Sequence, residues 1–125
     1  MNWHKWVGKK HVVGADPTCD EGCDCLLMVV RIREALGLSV PSKEKIHALI
    51  ELAKQFRHDE IYEQITPSLV PIEEPSEGGF TVFSSLDHIG TAVMIEGGLL
   101  HVDIKRGVRW LPASALRKFS WFHWK

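Results

Sequence analysis

The sequence predicts an α+β domain, with helices early in the chain and an antiparallel sheet after them. Three observations carry this: capped helical patterns between Asp24 and Ile65, short apolar stretches with glycine turns between Phe80 and Leu111, and the series Pro67, Pro71 and Pro75 dividing the two. At 125 residues the chain is the length of one domain, 1–125. Apolar residues make up 45% and charged residues 25%, which excludes a disordered or fibrous class. Fifteen Lys and Arg against 16 Asp and Glu leave a formal charge of −1, so no broad field points to nucleic acid or anionic lipid as partner.

Residues 1–24 contain Gly8, Gly14, Pro17, Gly22 and Asp20-Glu21 and read as a loop-rich arm. From Asp24 the pattern changes: Asp24 suits an N-cap, Gly37 a C-terminal stop with φ > 0, and Pro41 forbids continuation. The Leu26 to Ile32 stretch would also suit a strand, but both caps and a span of about twelve residues favour a buried helix. A second helix starts after Ser42, with Ile46, Leu49, Ile50, Ala53 and Phe56 on its apolar side and His47, Glu51, Lys54 and His58 on the other. Asp59 to Ile65 continue it brokenly, and the prolines then enforce an extended connection through Ile72-Glu73-Glu74. Strands follow at Phe80–Phe83, His88–Ile95, Leu99–Ile104 and Val108–Leu111, joined by turns at Glu96-Gly97-Gly98 and Arg106-Gly107 into an antiparallel meander. Pro112 suits the first turn of a short helix, and the aromatic tail Phe119–Trp124 supplies a last strand.

The longest uninterrupted apolar run, Cys25 to Val30, is too short to span a bilayer, so no membrane span is expected. The first residues lack the pattern of a signal peptide, which predicts synthesis in the cytoplasm without export by that route. Cys19, Cys23 and Cys25 are too few and too close for a disulfide framework, which leaves at least one free thiol. With His11 they offer a zinc set. Structural zinc sites draw on two separated ligand pairs, however, and the sequence holds no second cluster, so neither metal nor other cofactor is expected.

Cys25 is the position with chemistry. As the first residue of the buried helix it meets free backbone amides and the positive end of the helix dipole, which favour a thiolate and can hold a developing oxyanion. A small core residue is the plainer reading of the same cysteine. A base is available in His88, and His101, 13 residues further on, flanks the same glycine turn. A hairpin centred there makes the two imidazoles cross-strand neighbours, with His101 fixing the tautomer of His88. Taken without Cys25, they are two polar residues on a strand face.

Several motifs occur together and in order from about residue 6 to residue 116: Trp6-Val7-Gly8, Asp24-Cys25 preceded by Gly22 and one more residue, Leu36-Gly37-Leu38-Ser39-Val40-Pro41, Gly78-Gly79-Phe80-Thr81-Val82-Phe83, His88-Ile89-Gly90, Leu99-Leu100-His101 and Gly107-Val108. In these the chain resembles the NlpC-type cysteine endopeptidases of the cell wall, and especially their phage-tail branch. It departs from that family in carrying Leu26-Leu27 where Ser-Gly or Trp-Gly usually follows the cysteine, and Gly79 where an Asp is usual. The resemblance implies a papain-like fold, with a central helix bearing the cysteine packed on an antiparallel sheet. It implies Cys25 as nucleophile, His88 as general base and His101 as the third, orienting member. His11 stands where the family tends to place a Tyr or Phe, the Tyr of many members helping to hold the oxyanion, and the resemblance sets Asp24 with it at that site. The implied substrate is the stem peptide of peptidoglycan, the implied partners are other phage tail proteins, and the implied location is the virion tail, acting at the bacterial wall. The rival reading is a non-catalytic tail-tip protein that keeps the fold, with the aromatic tail Trp121-Phe122-His123-Trp124 docking on a partner.

Overall fold

The helix beginning at Cys25 lies where its two cap signals put it. In the computed structural model α1 spans Cys25–Ala35. Asp24 Oδ1 accepts hydrogen bonds from the amides of Leu26 and Leu27, at 2.8 and 3.1 Å. At the other end Gly37 takes φ +73°, its N–H donates to the carbonyl of Glu34, and that of Leu38 donates to the carbonyl of Arg33, a Schellman closure. The description covers residues 1–85 and 88–125, with side chains at all of these except 84, 85, 88, 89 and 115–117. Among the described residues there are two further α-helices, α2 at Lys43–Lys54 and α3 at His58–Ile65. Ser42 caps α2 through the amide of Lys45. Phe56, expected on the apolar face of a continuing helix, breaks it instead: its φ is +56° and it is 78% exposed.

The sheet has six antiparallel strands: β1 Leu69–Ile72, β2 Phe80–Ser85, β3 His88–Ile95, β4 Gly98–Asp103, β5 Gly107–Leu111 and β6 Trp121–Trp124. Their spatial order is β1-β6-β2-β3-β4-β5, so the expected meander forms β2 to β5 and the aromatic tail returns beside it. β1 occupies ground read as a mere connection. Pro71 cannot donate to a ladder, but β1 pairs only with β6 and lies at the margin of the sheet, where a proline is tolerated.

Alternation divides the sheet into two faces. Val93, Ile95, Leu100, Val102 and Val108 pack with Cys25, Met28, Val29 and Ile32 of α1 into the main core. Ala92, Leu99 and Trp121 gather on the other face with Phe83, Met94, Leu111 and Phe119. Leu49 of α2 and Ile61 and Ile65 of α3 form a smaller cluster, against which Leu26 and Val82 pack. The arm, irregular as expected, is nonetheless tied down. Trp3 and Trp6 enter the main core, the amide of Gly8 donates to the carbonyl of Val108, and the amide of Val108 donates to the carbonyl of Lys9. A Cβ at Gly107 would lie 2.3 Å from the Lys9 carbonyl oxygen, so this approach of arm to β5 requires a glycine.

Arg33 is fully buried and joins distant segments. Its guanidinium donates to the carbonyls of Ser39 (2.9 Å) and Gly78 (2.6 Å) and to Nδ1 of His123 (2.9 Å), and lies over the Phe80 ring. Because a guanidinium only donates, Nδ1 of His123 is an acceptor and the ring proton sits on Nε2, towards Ser76 Oγ at 3.2 Å. Burial and the neighbouring Arg33 charge hold the His123 pKa below its usual 6.5, and burial does the same at His101. A histidine whose folded pKa is depressed contributes stability that is complete above the unfolded value and is lost as pH falls below it. The unfolding midpoint should therefore be flat between about pH 7 and pH 8 and decline towards about pH 5. His123→Asn, which keeps an acceptor beside Arg33, should flatten part of that decline in a series of thermal melts. An unchanged slope would remove His123 from the account.

Replacing Gly107 by Ala forces the arm off β5 and strains a φ of +79°. The loss should be about 2 kcal/mol or more in urea unfolding.

Candidate active site

Cys25 opens α1 and borders a cleft of about 210 Å³ between α1, the α2–α3 pair and strands β2 and β3. The walls are apolar, with Val13, Leu26, Leu49, Ile50, Ala53, Ile61, Ile65 and Val82 among them, and Phe56 and Ile104 also border it. The polar residues are His11, Asp24, Cys25, His58 and Thr91. His11 is carried there by a parallel bridge to Cys23 that ties the arm to the residues just before α1. Thr91 Oγ1 donates to the carbonyl of Cys25 at 2.8 Å, which locks β3 to the first turn of the helix. Asp24 is 4% exposed and its contacts are structural: Oδ1 caps the helix, Oδ2 accepts from the amide of Gly14 at 2.8 Å, and its own amide donates to the carbonyl of Ala15.

The expected thiolate is not the resting state of Cys25. Burial pushes the thiol up to about 11 and the Asp24 carboxylate adds to the rise, while hydrogen bonding from Thr91 and the Leu26 amide opposes it only in part. The helix-end amides are present, as the sequence led one to expect, but loss of water around the sulfur outweighs them. Cys23, wholly buried, is pushed up to about 12 by the same loss of water and by the charge of Asp24. Cys19 is exposed, and all three cysteines are free. No group of three His, Cys, Asp or Glu side chains is gathered for a metal among the described residues.

The histidine pair does not form as the hairpin argument expects. β4 pairs with β3 so that His101 faces Ala92, four residues from His88, which is about 13 Å of strand. Positions 88 and 101 are therefore not cross-strand neighbours. On β4, Leu100 and Val102 enter the core that holds Cys25, so alternation turns His101 to the opposite face. There it borders a second hollow of about 390 Å³ with Phe83, Leu99, Leu111 and Phe119, apart from Cys25. Its Nε2 is buried and has no hydrogen-bond partner among the described residues. Burial lowers its pKa, Asp103 partly offsets this, and Arg109 adds to the lowering. His88 opens β3, three residues before Thr91, but its side chain lies outside the described residues.

The structure thus brings Cys25, Asp24 and His11 to one cleft and leaves His101 behind the sheet. It also places two groups that the sequence reading did not single out. His58 reaches the cleft because the break at Phe56 lets α3 start there, and Thr91 reaches it by strand alternation. No signal local to either residue announces this. No protein-family model matches the chain, and no curated protein matches it.

With iodoacetamide at neutral pH the exposed Cys19 should label first, with Cys25 slower by orders of magnitude. The Cys25 rate should still climb about tenfold per unit near pH 9, as expected of a thiol titrating at about 11. Asp24→Asn, which keeps a capping oxygen but removes the charge, should raise the Cys25 rate at a given pH. Peptide mapping by mass spectrometry reads each site, and a Cys25 rate already level at pH 8 would overturn this account.

Proposed function

We propose that this protein is a cysteine endopeptidase of papain-like arrangement that hydrolyses peptidoglycan stem peptides as a component of a phage tail. The observation that carries the reading is Cys25 as the first residue of a capped helix, bordering an apolar cleft with an imidazole, His11, beside it. The ordered motifs from Trp6 to Val108 supply the substrate class and the tail setting by resemblance. No helix is long and apolar enough to cross a membrane among the described residues.

In this mechanism Cys25 reacts from a neutral thiol. An imidazole takes the Sγ proton as sulfur attacks the carbonyl carbon of the scissile amide, and the leaving amine departs with that proton. Water, deprotonated by the same imidazole, then cleaves the thioester and releases the acid and the thiol. The resemblance assigns the imidazole to His88, which opens β3. The amides of Leu26 and Leu27 are taken by the Asp24 cap, so the oxyanion falls to the amide of Cys25 itself with His11. Asp24 positions the nucleophile by capping α1.

A second reading, a non-catalytic tail-tip protein with the same fold, is favoured by one observation: His101 stands on the face of the sheet opposite Cys25. Digestion of purified peptidoglycan under reducing conditions separates the two. The wild type should release stem-peptide fragments, Cys25→Ala none, and His88→Ala about a hundredfold less or lower still. His101→Gln should leave activity within a few-fold. Absence of products from a well-folded wild type would favour the non-catalytic reading.

A further inference from the structure

Phe56 stands at the border of the Cys25 cleft under two disadvantages that its own packing does not offset. The first is conformational. It follows Gln55, the C-cap of α2, with its amide donating to the carbonyl of Ala53 at 3.1 Å and the amide of Arg57 donating to that of Leu52 at 3.0 Å. This is a Schellman closure, whose left-handed position suits glycine, and here a phenylalanine fills it at φ +56°. The other non-glycine residue with positive φ among the described residues, Glu96, lies in the tight turn between β3 and β4. The second disadvantage is solvation, since the ring is 78% exposed and gains little by burial. Glycine would end α2 in the same way without either disadvantage.

The position of Phe56 gives these features a use. It borders the cleft with Cys25, His11 and His58, and its ring centre lies 6.4 Å from that of His58. Ile104, just after β4 and 57% exposed, borders the same cleft. Two exposed apolar side chains therefore flank the space in front of the sulfur, beside imidazoles that can meet polar groups. Backbone strain of this kind gathers at ligand contacts, and an exposed aromatic ring can bury a large area on a partner while fixing only two torsions.

We propose that Phe56 is a substrate-contacting residue, whose ring is the surface against which a peptide chain lies as its carbonyl reaches Cys25. It sets affinity for the peptide and takes no part in the proton transfers. The assignment deepens the peptidase reading and rests on it for the nature of the ligand, but its test needs no turnover.

Two alkylating probes are applied to the full chain carrying Cys19→Ser. Iodoacetamide reports the reactivity of the sulfur alone, whereas N-acetyl-trialanine chloromethyl ketone must lay a peptide along the cleft. In each reaction sulfur displaces the halide and the thiol proton goes to buffer, and peptide mapping reads the rate at Cys25. Phe56→Gly should slow the peptide probe about tenfold and leave iodoacetamide within about twofold. It should also raise the thermal midpoint by a few degrees, as the strain is relieved. Phe56→Asn, which tolerates the same φ, should lose the peptide rate as well, while Phe56→Tyr should keep it. In digestion of stem peptides Phe56→Gly should raise KM about tenfold with kcat within a few-fold.

An unchanged ratio of peptide to iodoacetamide rates in Phe56→Gly would overturn the assignment. An equal fall for both probes, or a lowered thermal midpoint, would overturn it too, because the ring would then serve the fold. A ratio that depends on Phe56 alongside a failure to digest peptidoglycan would sink the peptidase reading and leave the peptide contact standing.

Discussion

The side chain of Asp24 is the joint on which the arrangement depends. One oxygen closes the first turn of α1, the other holds Gly14 of the arm, and its backbone amide is tied to Ala15. It thereby fixes where the helix begins, how the arm crosses in front of it and where the sulfur of Cys25 sits. The same charge, buried beside the sulfur, resists formation of the thiolate. Architecture and thiol acidity pull against each other at one residue, and in the proposed mechanism a base that removes the proton late, with substrate already present, suits this site better than a standing ion pair.

What was legible in the sequence was local. Asp24 and Gly37 act on amides and carbonyls within a few residues, so α1 could be read with both ends. The glycine turns set the meander in the same way. β1 was missed because a proline argues against a strand unless the strand lies at a sheet margin, and margin position is a property of the whole fold. Phe56 was misplaced because helical spacing does not reveal a left-handed residue that ends the run.

The site divides along the same line. Cys25 and His11 border one cleft, the first because it opens a helix and the second because the arm's bridge to Cys23 carries it there. His101 is not the cross-strand neighbour of position 88 that the glycine turn suggested, because the register of a hairpin is a property of the whole ladder, which pairs it with Ala92. His58 and Thr91 arrive from elements distant in sequence, and the raised thiol pKa reflects burial by those elements. Arg33 makes a similar point, since nothing nearby predicts that its charge ends among carbonyls and a neutral imidazole, joining α1 to the last strand.

The contact between the arm and β5 reaches beyond the site. A sheet left open at its margins offers unpaired backbone groups to any passing strand and is prone to edge-to-edge aggregation. Here Gly8 and Lys9 occupy groups of β5, while β1 at the opposite margin carries a residue with no N–H to offer. The two margins are blunted by different means, one by a tethered segment and one by Pro71. Detaching the first ten or so residues would then expose a templating edge and strip Trp3 and Trp6 from the core at once, so that self-association and loss of stability are coupled.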